Sequence, residues 1–258
     1  MNPLQEFLDF AVDAATQAGR MALGHYRTGV DVEWKADRSP VTIADRVVEE
    51  LLRKRIEHRY PDHGIFGEEG GEVQRESTRR WIIDPIDGTQ SFIRGVPLWG
   101  VLLGLEIGGE MIVGVVSMPA LNETVSAARG LGCRLNGRPV HVSNVEHLDE
   151  ALVVYTDSLE LARRRPGAWA TLQARSRVQR GWGDCYGHVL VATGRADVML
   201  DPVMSPWDCA PLLPILREAG GTFTDWDGQA TIYGGHAIST NGKLFDEVMK
   251  TITERTQT

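Results

Sequence analysis

Cysteine is scarce and unpatterned in this chain. Cys133, Cys185 and Cys209 show neither a CxxC pair nor zinc-type spacing, and their odd number argues against a disulfide framework. They read as reduced thiols. Long apolar runs are missing too, so no stretch has the length needed to cross a bilayer. At the N-terminus Glu6, Asp9 and Asp13 fall within an amphipathic pattern, unlike a signal peptide. A cytoplasmic protein is the expectation. Basic residues are in deficit: 27 lysines and arginines face 35 aspartates and glutamates, a formal net charge of −8, which argues against nucleic acid or an anionic membrane as a general partner. There is no internal repeat, low-complexity tract or Pro/Ser-rich linker.

What is present suffices for a large core, since 42% of 258 residues are hydrophobic and can be buried as one domain or two closely packed halves. Leu4, Phe7, Leu8, Ala11, Val12, Ala15, Ala18 and Ala22 recur at helical spacing, and a second helix is predicted from about Thr42 to Tyr60, with Ile43, Val47, Leu51 and Leu52 inward. Gly108-Gly109, Gly130-Leu131-Gly132 and Asn136-Gly137 punctuate strand-like runs as antiparallel hairpins. After about residue 145 the pattern alternates strand and helix through strands near 152–155, 177–180 and 196–201 and helices at 159–174, 185–193 and 206–219, then a closing strand and helix. The fold class is therefore α/β, with an α+β half over 1–145 and an α/β half over 146–258 that share an interface. Pro211 and Pro214 predict a kink or a late start in the helix after Ser205.

The most informative segment is Trp81-Ile82-Ile83-Asp84-Pro85-Ile86-Asp87-Gly88-Thr89. An apolar strand ends by sending two carboxylates into a tight turn, where Gly88 lets the backbone approach a ligand and Thr89 stands at a helix start. Hard oxygen ligands of this kind select Mg²⁺ or a similar cation, and the amides that follow suit a phosphate. Upstream, Gly67-Glu68-Glu69-Gly70-Gly71 supplies an acidic pair, and downstream Ser205-Pro206-Trp207-Asp208 supplies an acid in the first turn of a helix. Four or five carboxylates brought close must protonate or recruit metal, and at neutral pH metal is the expected outcome. Each residue also has a structural alternative: Asp208 as a helix cap, Thr89 as an N-cap, and Asp45 as the partner of Thr42 in a capping box.

In that order, Gly-Glu-Glu, Trp-Ile-Ile-Asp-Pro-Ile-Asp-Gly-Thr, and Trp-Asp before a helix ending in Glu218-Ala219-Gly220-Gly221 resemble the inositol monophosphatase family of Mg²⁺-dependent, lithium-sensitive phosphatases. The resemblance spans about residue 35 to residue 225. It implies a layered α/β/α/β/α sandwich, usually a homodimer, with the active site between the halves. Carried over by position, it makes Glu68, Asp84, the carbonyl of Ile86, Asp87 and Asp208 the ligands of two or three Mg²⁺ ions, with Mn²⁺ as an alternative metal. Gly88 and Thr89 would bind phosphate, and Asp45, with Thr89 and the metal-bound Glu68, would serve the attacking water. Lys35 matches a family lysine on the loop before the second helix, and Glu69 is expected to point away from Glu68. His25, His63 and His188 are scattered singly and read as solvated or internally satisfied.

Specificity has to be sought outside the metal motif. Asp184, in Trp182-Gly183-Asp184-Cys185-Tyr186-Gly187, and Asp201, in Asp197-Val198-Met199-Leu200-Asp201-Pro202, would join Asp208 around the leaving group. Two acids there suit a cationic alcohol better than a neutral polyol. These stretches resemble the histidinol-phosphatase branch, which implies hydrolysis of L-histidinol phosphate in histidine biosynthesis; inositol 1-phosphate is the alternative substrate. Trp99, Trp182 and Tyr186 are candidate flat walls for an imidazole, and Asp184 is alternatively an N-cap. An alternative of another class also follows from the family: a protein that acts chiefly as a partner in transcription complexes, with secondary phosphatase activity.

Overall fold

The computed structural model describes residues 3–29, 31–35 and 40–253. The opening amphipathic repeat forms α1 (Pro3–His25), whose buried face is Leu8 followed by Ala11, Ala14, Ala15, Ala18, Gly19 and Ala22. Such small side chains let the helix lie close to a sheet; a Cβ on Gly19 would approach Ser117 Oγ to 3.1 Å. A short hairpin, β1 (Val32–Trp34) with β2 (Pro40–Thr42), leads into α2 (Ile43–Arg59). Its inward stripe is Ala44, Val48, Leu52 and Ile56; Leu52 is buried as predicted and Leu51 packs partly on the core, whereas Ile43 is 50% exposed. Ile43 stands about 100° around the helix from Ala44 and so falls outside the stripe that packing selects.

Residues 64–139 build one sheet. In chain order come β3 (Gly64–Gly67), β4 (Gly71–Val73), β5 (Arg79–Asp87), the one-turn helix α3 (Thr89–Ile93), β6 (Gly100–Ile107), β7 (Glu110–Met118), β8 (Glu123–Ala128), β9 (Gly132–Leu135) and β10 (Arg138–Pro139). The strand order is β10-β9-β8-β7-β6-β5-β3-β4. Every pair is antiparallel except β3 with β5, which is parallel, so the expected antiparallel sheet has one exception. Between Asp84 and Asp87 the register of β5 on β6 slips. Pro85 lacks the N–H a ladder needs, and the resulting bulge turns the two acids out of the sheet.

The second half adds β11 (Leu152–Tyr155), α4 (Ser158–Arg164), α5 (Pro166–Arg175), β12 (Val178–Arg180), α6 (Asp184–Ala192), β13 (Val198–Asp201), α7 (Pro206–Glu218), β14 (Thr222–Thr224), β15 (Ala237–Thr240) and α8 (Phe245–Thr253). Its sheet runs β12-β11-β13-β15-β14, with the first three strands parallel and β15 antiparallel to both neighbours. Two strands, not one, therefore close this half.

Three apolar clusters give the layering. α1 and α2 cover one face of the large sheet through Trp81, Ile83, Val101, Leu103 and Val115. Its other face, including Ile82 and Leu102, meets α6 and α7, which also receive Val154, Met199 and Phe223 from the small sheet. The far face of that sheet packs on α5 and α8 through Val153, Leu200, Trp169 and Val248. Alternate residues of one strand thus serve different cores, as period-two geometry requires, and the result is an α/β/α/β/α sandwich.

α7 is assigned as one helix from Pro206 to Glu218, so the late start predicted from Pro211 and Pro214 does not occur. Pro206 occupies the first helical turn, where a missing N–H costs nothing. The two internal prolines lie in the centre of the sandwich, where packing outweighs the lost bonds: Gly104 and Gly114 of the sheet leave room for the helix, and a Cβ on Gly114 would run into the Pro211 carbonyl. Gly114→Ala is therefore expected to destabilise the fold by about 3 kcal/mol, read as a lower urea midpoint with unchanged slope. A midpoint equal to that of the parent would contradict this close contact.

Candidate active site

The end of β5 and the first turns of three helices converge. Asp84, 2% exposed, accepts the Ile86 N–H at 3.0 Å, which closes the turn around Pro85. Asp87 accepts the Cys185 N–H at 2.5 Å, a bond from the start of α6 across to the first half. Gly88 has φ 79°, a left-handed conformation, and a Cβ there would lie 2.8 Å from the Leu98 carbonyl, so both backbone and space require glycine. Thr89 lies inside the helix and donates its hydroxyl to the Ile86 carbonyl at 2.9 Å; the cap is Gly88, so the N-cap alternative for Thr89 does not hold. The Ser91 and Phe92 N–H groups return to the Gly88 carbonyl at 2.8 and 3.0 Å, whereas the Thr89 and Gln90 amides, at the start of the helix, have no intrahelical acceptor.

Asp208, third in α7, accepts the Ser205 N–H at 2.7 Å. Its capping role is real, yet it uses one oxygen only. Asp84, Asp87 and Asp208 present carboxylate oxygens within 4.8 Å of one another. Burial, then mutual repulsion, pushes Asp84 and Asp208 well above the usual carboxylate range, and burial raises Asp87. Carboxylates gathered this closely favour protonation or an intervening cation. An all-oxygen, acid-rich donor set fits a hard divalent ion.

Glu68 borders this trio closely enough to raise Asp84. Its loop is clamped by a residue that sequence reasoning missed. Glu49, on α2 and 2% exposed, accepts the Glu69 N–H at 2.7 Å and the Gly70 N–H at 2.8 Å while holding Arg53 at 2.7 Å. A Cβ on Gly67 or Gly70 would strike that ion pair, which is why glycines bracket the acids. A glutamate on the apolar stripe of α2, four residues before an arginine, is the signal that was available. Lys35 bonds Glu68 at 2.7 Å and Glu69 at 2.5 Å. The two glutamates therefore converge on one ammonium, and the expectation that Glu69 points away is corrected: the Glu49 bond turns its backbone, and Lys35 gathers both side chains. Burial raises Glu68 against the opposing pull of Lys35. Asp45 is 1% exposed and takes both the Thr42 N–H and hydroxyl on Oδ2, each at 2.7 Å, so its capping box exists and engages that one oxygen.

Asp184 and Asp201 reach the same cleft from the second half. Asp184 opens α6 at φ 53°, and among the described residues its carboxylate accepts no hydrogen bond. The helix cap is Gly183, so the capping alternative for Asp184 fails. Its Oδ2 lies 3.2 Å from where a Gly88 Cβ would be, against the loop that follows Asp87. Burial, then Asp87, Asp201 and Asp208, raise it well above its ordinary value. Asp201, 4% exposed, accepts the Thr156 hydroxyl at 2.6 Å and the Val203 N–H at 3.3 Å, and burial pushes it up to about 7. It stands behind Asp184 with both oxygens engaged.

The aromatic walls are only partly as expected. Trp182 is 39% exposed beside Asp184, and Tyr186 is half-buried against the central core. Trp99 is fully buried, 4.9 Å from Phe92 and 5.4 Å from Tyr26 between ring centroids, and cannot wall a pocket. Of the histidines, His63 accepts the Trp81 indole N–H at 3.0 Å and His188 pairs Nδ1 with Ser239 at 2.7 Å, leaving Nε2 without a partner. No histidine joins the acidic cluster among the described residues.

Residues 3–257 match the inositol monophosphatase family. The chain belongs to that family. Among curated relatives, it is 47% identical over 234 residues to a histidinol-phosphatase of Chlorobaculum parvum, covering 90% of each chain. It is 39% identical over 246 residues to a histidinol-phosphatase of Mycobacterium tuberculosis, covering 92% of this chain and 93% of the relative. Among solved structures, the inositol monophosphatase of Thermotoga maritima superposes with a TM-score of 0.88 at 32% identity over 96% of each chain. Among the described residues no helix is long and apolar enough to cross a membrane.

The acids make stability depend on pH in a defined direction. Asp84, Asp87, Asp184, Asp201 and Asp208 titrate above 3.8 in the fold, so near neutrality the metal-free fold binds protons that the unfolded chain has released. That contribution is full below the unfolded value and lost as pH rises through the folded one; for Asp201 the window is 3.8 to about 7. With chelator present, the melting temperature should therefore fall between pH 5.5 and pH 8, and Mg²⁺ should raise it more at pH 8. A Mg²⁺ increment independent of pH would count against a shared site.

Proposed function

We propose that the chain is a Mg²⁺-dependent phosphomonoester hydrolase acting on L-histidinol phosphate to give L-histidinol and inorganic phosphate. The observation that carries the substrate is the Asp184 carboxylate, unbonded by the protein, lying against the Gly88 loop with Asp201 behind it. In L-histidinol phosphate the ammonium is on the carbon next to the one bearing the ester oxygen. A phosphoryl group on the Gly88–Thr89 turn would place that ammonium beside an anion at short range, where a charge-assisted bond is strong. An inositol phosphate offers only hydroxyls there. The two histidinol-phosphatase relatives support the same reading.

Glu68, Asp84, the Ile86 carbonyl, Asp87 and Asp208 would hold two or three Mg²⁺ ions, which when bound supply positive charge to the phosphoryl oxygens and the departing alkoxide. The amides opening α3 receive phosphoryl oxygens. The Thr89 hydroxyl and the other carboxylate oxygen of Asp45 orient the water, and Asp45 takes its proton as oxygen attacks phosphorus opposite the leaving group. The P–O ester bond breaks, and the departing alkoxide takes a proton from a solvent water to leave as the alcohol. Asp184 keeps the ammonium in place throughout, assisted by Asp201. We carry the homodimer over from the family resemblance alone.

Phosphate release in Mg²⁺ tests this, comparing L-histidinol phosphate with inositol 1-phosphate. The first should be preferred, with Asp208→Asn inactive on both. Asp184→Asn should reduce kcat/KM for histidinol phosphate by about 30-fold and affect the inositol ester far less. Preference for inositol 1-phosphate would instead place the chain with the polyol phosphatases.

A further inference from the structure

We propose that Thr156 is a specificity-positioning residue, whose hydroxyl locks the Asp184–Asp201 pair into the arrangement that receives the substrate's ammonium. Thr156 follows β11, and its N–H is held by the Leu200 carbonyl at 3.3 Å, so it lies beside the end of β13 and Asp201. Its hydroxyl donates to Asp201 Oδ2 at 2.6 Å and accepts the Asp184 N–H at 3.0 Å. The direction of this chain is fixed. An amide can only donate and an ionised carboxylate can only accept, so the single hydroxyl hydrogen goes to Asp201.

Two further observations bear on this contact. A Cβ on Gly183 would sit 2.5 Å from Thr156 Cα and 2.7 Å from its Oγ1, so the loop before α6 is pressed onto Thr156 as only glycine allows. Asp184 itself adopts φ 53°, a conformation that non-glycine residues hold only where the surroundings enforce it. The N–H bond to Thr156 is one restraint and the Cys185 N–H bond to Asp87 is the next. Between them they leave the Asp184 carboxylate free and set against the Gly88 loop. Thr156 thus acts through two acids without touching the reacting atoms.

This inference rests on the cationic-substrate reading, and its test separates the two. Thr156→Val keeps the side-chain volume and removes both bonds; Thr156→Ser restores them. In the Mg²⁺-loaded enzyme, the valine variant should raise KM for L-histidinol phosphate, and the inhibition constant of the product L-histidinol, by about tenfold. With glycerol 2-phosphate, an ester of a neutral alcohol, kcat and KM should move less than about threefold, and the serine variant should behave as the parent. Thr156→Ala supplies the same comparison if the valine variant does not fold. Equal losses on both esters, or no rescue by serine, would overturn the inference and leave Thr156 a packing residue. If Asp184→Asn abolished the preference while Thr156→Val retained it, only the role of Thr156 would fall. A parent enzyme without preference for histidinol phosphate would overturn the substrate reading and this inference together.

Discussion

Mutual repulsion among buried and half-buried carboxylates is the constraint around which this molecule is organised. Asp84, Asp87, Asp184, Asp201 and Asp208 lie in one cleft, and each is raised by burial. Lys35 is the ammonium that answers them from the protein side, and it reaches Glu68 and Glu69, at the edge of the group. Such an arrangement survives only if the backbone cannot relax away. Rigid supports therefore surround it: the Pro85 bulge, the left-handed Gly88 and Asp184, the capping bonds that take one oxygen each of Asp45 and Asp208, and the Glu49 clamp. Hydrogen bonds from backbone amides offset part of the charge and fix which oxygen remains available.

The layered fold supplies this rigidity. α6 and α7 lie between two sheets and donate apolar side chains to the shared core, so their N-termini are held at the junction of the halves. One helix brings Asp208 to the acids of β5, the other brings Asp184. The Cys185 N–H bond to Asp87 joins the helix that carries Asp184 to a residue of the acidic trio. On the function proposed above, selection of substrate and retention of metal would be mechanically linked through one peptide group.

Much of this was legible in the sequence, for reasons that can be named. Asp84, Asp87 and Asp208 announce themselves because proline, glycine and the end of an apolar run mark where acids leave a strand or open a helix. Whole layers follow from periodicity. Orientation around an axis is harder: of the α2 residues read as inward, Leu52 is buried but Ile43 is exposed, because packing against other elements chooses which part of an apolar arc faces the core, and Trp99 reads as a pocket wall when it lies in the core beside Phe92 and Tyr26. The late start read from the α7 prolines does not occur, because local propensity cannot foresee a helix centred between two sheets. Thr156 carries no local signal, since its role exists only once β11, β13 and α6 are adjacent. Glu49 could have been found, as a charge on an otherwise apolar face.

The split origin of the acidic trio has a bearing on biogenesis. During synthesis Asp84 and Asp87 leave the ribosome long before Asp208, and their strand can pair with β6 and β7 at once. Until α7 docks beneath that sheet, Asp208 is not beside them. The full acidic set arises only with the last layers in place, so the cation binding proposed above would follow closure of the sandwich and add to its stability. On that reading the ion would mark completed assembly as well as serve the chemistry.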